Sequence, residues 1–482
     1  MKTEIVKEIL DQYGEQATDS PFERSFYSRD LAPVPELLVG PLFKTLPDIV
    51  VRPANTEEVS DILKTAWKYT IPVTPRAGGS TVYFNTVPLH KGILMDLNLL
   101  KGVVAVDEAA MTVTVKPATT WIELERYLSG KGLAPKSFPS STPVATIGGW
   151  FSMLGYGIGS LKYGSLLSQV RSIEVVTPEG KARRLTRDTQ PSLEWFAAAE
   201  GTLGIVTELE VEIRHQTQLK HYLLQCSDPL EMRDKMQAVI KGAEVPFNLH
   251  FTDQECLQGM KTLGIAPGGL DHGYLLAVDY EGSDQELEQA EKIIQTITEK
   301  NQSVRLLPVE TAELEWEEKF KAMRLKRGGP SLLGAEIWLP IKNLPQYLAD
   351  VRKMSQSYNF KLFSYGHVVT PDYATVMTTF NADEMHTIRY IINLSLVKKL
   401  HDIGYRYGGS PYGVGLWNAP MIGRIHQPSE LKRLKKIKRD LDGKGTMNPG
   451  KVYRAPFILN PLNYALAMDM LAGIRKVFGR GW

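Results

Sequence analysis

The residues best suited to chemistry in this chain are small ones. Pro72-Val-Thr-Pro-Arg-Ala-Gly-Gly-Ser-Thr81 runs from a strand-like segment into a loop of adjacent small residues. Backbone N–H groups in such a loop can approach a pyrophosphate without side-chain obstruction. A second stretch, Pro139-Ser-Ser-Thr-Pro-Val-Ala-Thr-Ile-Gly-Gly149, is followed by Ser152, Gly155, Gly157, Gly159 and Tyr163-Gly164. A third is Glu200-Gly-Thr-Leu-Gly-Ile-Val-Thr207. A nicotinamide-type Rossmann site requires G-x-G-x-x-G between strand and helix, with an acidic residue about 20 positions on. Here Gly78-Gly79 leads into an extended segment, and Gly155-Tyr-Gly-Ile-Gly159 lacks the third spacing, so that site is not expected. One glycine pair alone reads as a tight turn. Three glycine-rich loops in order, each beside a strand signal, read together as a cradle for a phosphate-bearing cofactor.

The elements that must position these loops alternate along the chain. Residues 48–52 form a short apolar strand stopped by Pro53. Asn55 or Thr56 can cap a helix whose first turn carries Glu57 and Glu58, which suits the helix dipole. Val59, Ile62, Leu63 and Ala66 give it one apolar face. Residues 71–74 read as the next strand, completing a β-α-β unit that ends in the first glycine loop. Strands are also expected at 93–97 and 112–116, and Thr120-Trp-Ile-Glu123 is a capping box for a helix ending near Gly130. Residues 173–177 and 182–185 form a hairpin around Pro178-Glu-Gly180. Residues 205–213 set Val206, Leu209, Val211 and Ile213 against Thr207, Glu208, Glu210 and Glu212, a half-exposed strand.

Before this run, residues 1–45 read as a short helix and a Pro-rich approach with Pro33, Pro35, Pro41 and, just beyond, Pro47. After it, residues 217–430 mix strands and helices with weaker glycine punctuation and read as a separate α+β domain. That domain includes a helix over 284–300 with Leu287, Ala290, Ile293, Ile294 and Ile297 on one face. A basic helix over 429–441 carries Lys432, Arg433, Lys435, Lys436, Lys438 and Arg439 around a stripe of Leu431, Leu434, Ile437 and Leu441. It reads as a solvated basic face. A turn-rich segment, 443–453, and a terminal amphipathic helix follow.

Five ordered stretches resemble the FAD-linked oxidase family, of the vanillyl-alcohol-oxidase/p-cresol-methylhydroxylase (PCMH) type. The resemblance lies nearest the branch of glycolate oxidase FAD subunits and D-lactate dehydrogenases. The family's R-G-G-G-T-S is matched by Arg76, Ala77, Gly78, Gly79, Ser80 and Thr81, and its T-I-G-G by Thr146, Ile147, Gly148 and Gly149. R-Y-G is matched by Lys162-Tyr163-Gly164, G-S-E-G-T-L-G-I-I-T by residues 198–207, and L-N-P-G-K by Met447-Asn-Pro-Gly-Lys451. The match is strong over roughly 46–216 and 430–454 and faint between.

The resemblance implies an α+β protein with a two-subdomain PCMH-type FAD-binding domain and an inserted α+β cap, or substrate, domain. Its expected parts are an approach segment (1–45), the FAD domain (46–216), the cap (217–430) and a returning C-terminal segment (431–482). It implies FAD as cofactor, held by Arg76–Thr81, by Pro139, Ser140, Thr142, Thr146, Gly148, Gly149, Ser152 and Gly155, and by Glu200, Gly201, Gly204, Ile205 and Val206. The first loop would hold the pyrophosphate, the third would lie near the adenine side, and Asn448 and Lys451 would return to the flavin region. Some members attach FAD through a histidine just after the glycine pair. Ser80 stands there, so non-covalent FAD is expected. A later loop glycine of the family is Phe84 here, which predicts a reshaped corner.

The 2-hydroxyacid branch commonly carries G-H-x-G-D-G-N-x-H and G-E-H-G, whose histidines bind a divalent ion. Here the first becomes Gly366-His-Val-Val-Thr-Pro-Asp-Tyr-Ala374 and the second Ser410-Pro-Tyr-Gly413. One imidazole is not a metal site, and no metal is expected. His367 and Tyr412 occupy those positions, on strands that would face the flavin, with Tyr365 and Tyr407 nearby. Oxidation of an alcohol needs a group to take or position the hydroxyl proton, which either could supply. A packed histidine and a space-filling tyrosine are the plainer alternatives. Arg324 resembles a cap arginine able to hold a carboxylate. Arg327 is an equal candidate, and a solvated helix face is the alternative for both.

The function expected is FAD-dependent oxidation of a hydroxylated small molecule, a 2-hydroxyacid or alcohol, by hydride transfer to flavin N5. Electrons would leave to oxygen, a quinone, an electron-transferring flavoprotein or an iron–sulfur subunit. The alternative is a flavin-binding but catalytically silent, or electron-transferring, subunit of a larger redox complex. A third reading is flavin-dependent reduction of an unsaturated substrate by NADPH. The bulk properties agree with an enzyme of ordinary kind. The chain has 482 residues, 43% hydrophobic and 23% charged, with net charge +2, so no field points to nucleic acid. Cys226 and Cys256 are its two cysteines, too few for a disulfide framework or thiolate cluster. The charged amphipathic start and the lack of a spanning apolar run make a cytoplasmic setting the expectation. The terminal stripe of Leu462, Leu466, Met470, Ile474, Val477 and Phe478, with Arg475, Lys476 and Arg480 around it, is expected to pack within the chain or to join a homo- or hetero-oligomer.

Overall fold

The computed structural model describes residues 1–482 apart from 33, 35–38, 271, 300–302, 454–455 and 480–482. Pro33 and Pro35 of the approach, the last residue of the expected 284–300 helix and Arg480 lie outside the described residues. The chain forms two compact units. The first comprises Met1–Gly155, Leu166–His215 and Gly413–Pro461. The second comprises Tyr156–Ser165, Gln216–Tyr412 and Leu462–Trp482. The return to the first unit thus begins at Gly413 rather than near 431, and the terminal helix belongs to the second.

The first unit begins with strands β1 (Ala17–Thr18), β2 (Ile49–Val51), β3 (Val73–Arg76) and β4 (Ile93–Asp96), ordered β1-β2-β4-β3. β2 and β3 run parallel to β4. The β2–β3 crossover is the helix Thr56–Tyr69, and Asn55 is its cap, accepting from the Glu58 N–H. Val59, Ile62, Leu63 and Ala66 are buried as the spacing predicts, beside strand residues that are wholly buried. The helix Thr3–Tyr13 adds Ile5, Ile9 and Tyr13 to the same core. β3 starts two residues later than expected and reaches Arg76, so the ladder extends to the edge of the glycine loop.

A second sheet holds β5 (Val103–Asp107), β6 (Thr112–Val115), β7 (Leu133–Pro135), β8 (Val170–Val176), β9 (Ala182–Leu185) and β10 (Ile205–His215). Its order is β5-β6-β10-β8-β9, with β7 also on β10. β10 alternates as expected from Glu208 onward, but Thr207, expected on the exposed side, is buried with Ile205 and Val206. Leu209, Val211 and Ile213 are buried, while Glu208 and Glu212 pair with Lys116 and Lys136 at 2.9 and 2.6 Å.

The second unit is one eight-stranded antiparallel sheet of β11 (Gln218–Cys226), β12 (Asn248–Thr252), β13 (Tyr274–Gly282), β14 (Arg305–Leu306), β15 (Ser331–Pro340), β16 (Phe363–Val368), β17 (Tyr373–Ala382) and β18 (Ser410–Pro411). Alternation gives it two unlike faces. Leu224, Leu249, Phe251, Leu276, Val278, Ile337 and Val376 pack under the helices Pro229–Ile240, Asp284–Glu299, Leu344–Tyr358 and Thr387–Arg406. The opposite face carries His221, Asp279, Asn248, His250, Tyr365 and His367 on β11, β13, β12 and β16.

The terminal helix Pro461–Phe478 departs from one of its two expected placements, since its apolar stripe does not pack within the chain. Its buried residues are Ala472 and Arg475, while Leu462, Leu466, Met470, Val477 and Phe478 are 63–68% exposed. Ala472 and Arg475 mark its inward side, and at the flank of the stripe Asp469 sits 3.0 Å from Lys398 and 2.8 Å from Lys399. Among the described residues, no helix is long and apolar enough to cross a membrane.

Candidate functional site

In the first unit the three glycine-rich loops interlock. Gly79 has φ +59, a left-handed conformation cheap only for glycine, and the Arg76 guanidinium lies where its Cβ would stand. Arg76 itself lies over the rings of Phe26 and Tyr27 and donates to the Arg29 carbonyl. A Cβ on Gly78 would stand 2.5 Å from the Val144 carbonyl of the second loop. Among the described residues, nothing accepts from the N–H groups of Ala77, Gly78, Gly79, Ser80 or Thr81. Five successive donors without an acceptor among the described residues, around a glycine pair, fit the oxygens of a pyrophosphate.

In the second loop, Thr142 Oγ1 donates to the Pro139 carbonyl, beside Ser140, and Thr146 Oγ1 accepts from Gly149 N–H as cap of the short helix Ile147–Ser152. Gly148 packs on Pro117 and Gly155 on the Trp150 ring. In the third loop, Gly201 presses on Pro75 of β3, and Gly204 leads into β10, where Ile205 and Val206 are buried. The Ser152 carbonyl accepts from Glu200 N–H at 3.1 Å, tying the second loop to the third.

The returning segment explains three of the expected cofactor residues differently. Met447 bridges in parallel to Val73, so residues 446–448 extend the first sheet beside β3. Asn448 Nδ2 donates to the carbonyls of Asn85 and Glu200 at 3.0 and 2.9 Å. Lys451 Nζ donates to the carbonyls of Asn85 and Val87 and to Asn448 Oδ1, and burial pushes its pKa down to about 7. The Glu200 carboxylate accepts from Val414 and Gly415 N–H groups, and burial raises its pKa. Glu200, Asn448 and Lys451 therefore tie the third loop and the segment around Asn85 to the returning segment. Phe84, at the expected corner, has φ 61° and is buried beside Trp417.

In the second unit the proton-handling candidates separate. His367 Nδ1 lies 3.1 Å from Asn248 Oδ1, and its ring centroid is 4.6 Å from that of His250. Burial alone pushes the His367 pKa down to about 4. Burial, then His367 and Lys321, push that of His250 well down. Both imidazoles are neutral near pH 7. Tyr412 is bound elsewhere: its hydroxyl accepts from Tyr156 N–H at 2.8 Å and donates to the Tyr156 carbonyl at 3.3 Å. Arg324 is half-exposed, with Nη1 3.0 Å from Glu318, while Arg327 is exposed. Tyr365 shares the His367 face, but Tyr407 donates to Asp350 in the helical layer. Sequence reasoning missed His221, Asn248, His250, Asp279 and the buried Lys321–Glu315 pair. A signal existed in the polar residues alternating with core residues, Asn248 and His250 against Leu249 and Phe251. Among the described residues, no three His, Cys, Asp or Glu side chains gather so as to hold a metal ion.

Residues 47–186 match the family described as FAD binding domain, and residues 219–452 the FAD linked oxidases, C-terminal domain. The glycolate oxidase subunit GlcD of Bacillus subtilis (strain 168) is 26% identical over 472 residues, covering 94% of this chain and 97% of that protein. The mitochondrial D-lactate dehydrogenase (cytochrome) of Arabidopsis thaliana is 24% identical over 423 residues, 84% of this chain and 73% of that protein. Among solved structures, p-cresol methylhydroxylase with substrate bound has the same fold, with TM-score 0.80 at 14% identity, covering 94% of this chain and 96% of that one. With the glycine cradle in place and both parts of the chain matched, the protein belongs to the FAD-linked oxidase family and is an FAD-dependent oxidoreductase.

Proposed function

We propose that the protein oxidises the CH–OH group of a small hydroxylated molecule, a 2-hydroxyacid or an alcohol, to the carbonyl. FAD, when bound, would supply the two-electron acceptor for the hydride. Arg76–Thr81 would hold its pyrophosphate through backbone N–H groups, with residues 139–149 beside them. His367 takes the hydroxyl proton on Nε2, since its Nδ1 is engaged by Asn248 and its ring is neutral at the working pH. That neutral, hydrogen-bonded imidazole on the polar sheet face is the observation that carries the reading. Tyr412 holds the backbone at Tyr156 and takes no proton. Arg324 holds a carboxylate where the substrate has one, as it now holds Glu318. The names of the relatives, glycolate oxidase and D-lactate dehydrogenase, favour the hydroxyacid arm. Oxygen, a quinone, an electron-transferring flavoprotein or an iron–sulfur subunit would be the final electron acceptor.

Anaerobic titration of the purified flavoprotein with glycolate, D-lactate and simple alcohols tests the reading. Bleaching of the visible flavin band by one of them is the expected result. His367→Gln should then slow that bleaching by roughly 10²- to 10⁴-fold, the usual worth of a general base. If no hydroxyacid or alcohol bleaches the flavin, the proposal fails and a flavin-binding subunit without its own turnover replaces it.

A further inference from the structure

We infer that Asp279 and Asn248 act as positioning residues that fix the tautomer of His367, leaving its Nε2 as the open lone pair. This rests on the reading of His367 as the proton acceptor, but the geometry behind it is independent of any substrate. Four side chains on β11, β13, β12 and β16 form one hydrogen-bonded chain across the polar face. His221 Nδ1 lies 2.7 Å from Asp279 Oδ1, and Asn248 Nδ2 donates to Asp279 Oδ2 at 2.7 Å. Asn248 Oδ1 lies 3.1 Å from His367 Nδ1.

The direction of each bond follows from what each group can do. An ionised carboxylate only accepts, so the amide nitrogen of Asn248 must face Asp279 and its oxygen must face His367. An amide oxygen also only accepts, so His367 Nδ1 must carry the hydrogen. A neutral imidazole has one N–H, which leaves Nε2 bare. Asp279 is buried, and both of its oxygens are held by neighbours on adjacent strands: His221 and Asn248 are its direct cross-strand partners. The sheet ladder therefore sets the orientation of an amide that would otherwise be free to turn over. His221 is held in turn by stacking on Trp316, with ring centroids 5.0 Å apart.

Asp279→Asn removes the constraint while keeping the shape. Residue 279 then offers both a donor and an acceptor, Asn248 can turn over, and His367 can place its hydrogen on Nε2. The test uses the FAD-loaded full chain with ¹⁵N-labelled histidine, because imidazole ¹⁵N shifts report which ring nitrogen bears the hydrogen without any substrate. The wild type should show His367 protonated on Nδ1. Asp279→Asn should move the population toward Nε2–H and lower kcat about 10²-fold or more, with KM and flavin content little changed. The double variant Asn248→Asp with Asp279→Asn restores an acceptor opposite His367 Nδ1 and should return both the tautomer and much of kcat. An Nε2–H tautomer in the wild type, or no change of tautomer in Asp279→Asn, would overturn the inference. A correct tautomer combined with undiminished turnover in His367→Gln would instead overturn the assigned base and leave the relay standing.

Discussion

At the scale of single residues, the decisive property of His367 is that it stays neutral well below the pH at which a free imidazole protonates. Burial lowers its pKa to about 4, against about 6.5 for an unperturbed histidine. Between those values the unfolded chain binds a proton at this position and the folded chain does not. The contribution of His367 to stability is therefore fully present above about pH 6.5 and is lost as pH falls toward 4. Over the same window the folded imidazole remains able to accept a proton, so turnover should outlast stability as the solution is acidified. His367→Gln has no such titration. Melting temperatures measured at pH 7 and pH 5 should show the wild type losing more than the variant, and equal losses would contradict the buried neutral imidazole. Phe84 shows the same separation of identity from setting. It is not a glycine, yet its backbone is left-handed, and the ring joins a buried cluster with Val87, Leu89 and Leu416 that offsets the cost of that conformation.

At the scale of elements, the cofactor cradle is a set of loops that stop one another from moving. Gly78 is exposed, so its role is not to fill the core, but a Cβ there would stand 2.5 Å from the Val144 carbonyl and 3.3 Å from Thr146 Cγ2. Gly78→Ala must push the first loop off the second and turn the row of N–H groups away from the pyrophosphate. FAD affinity should fall at least tenfold, about 1.4 kcal/mol, as read by flavin retained on gel filtration. Gly130→Ala, where the nearest atom is 3.7 Å away, should leave it unchanged. These loops were legible in sequence because each lies next to a strand or cap with a strong local signal, such as the capping box that Thr120 and Glu123 complete. β1 was not legible, since two residues carry no period. β5 was missed because it is a largely exposed strand without clear alternation. The relay residues were missed for a different reason. His221 and His367 stand 146 positions apart in number and meet only through the pairing of β11, β13, β12 and β16, a strand order that no local pattern states. The buried role of Glu200 was hidden likewise, since its partners Val414 and Gly415 lie far along the chain.

At the scale of the whole molecule, the chain leaves its first unit at His215 and returns at Gly413, and the return is structural rather than ornamental. Residues 446–448 lie beside β3, the strand that ends in the first glycine loop. The helix Pro428–Leu441 sends Lys438 to the carbonyls of Thr202 and Met447, at 2.6 and 2.9 Å, joining the third loop to the returning segment. Val414 and Gly415 satisfy the Glu200 carboxylate, which is buried and otherwise would face a desolvation cost of about 1–3 kcal/mol or more. The terminal helix Pro461–Phe478 contributes none of these contacts, belonging to the second unit and exposing its apolar stripe. The two ends of the return should thus separate in a truncation experiment. A chain ended at Asn460 should be purified yellow, with FAD released into the supernatant on acid precipitation, because the cradle and its supports are intact and Ser80 offers no imidazole for a covalent link. A chain ended at Tyr412 contains all three glycine loops but lacks the strand extension, the Lys438 contacts and the partners of Glu200, so it should be purified without flavin and fail to rebind it. Flavin retention by the shorter chain would show that the loops hold their geometry without the returning segment, and would return Asn448 and Lys451 from bracing residues to dispensable ones.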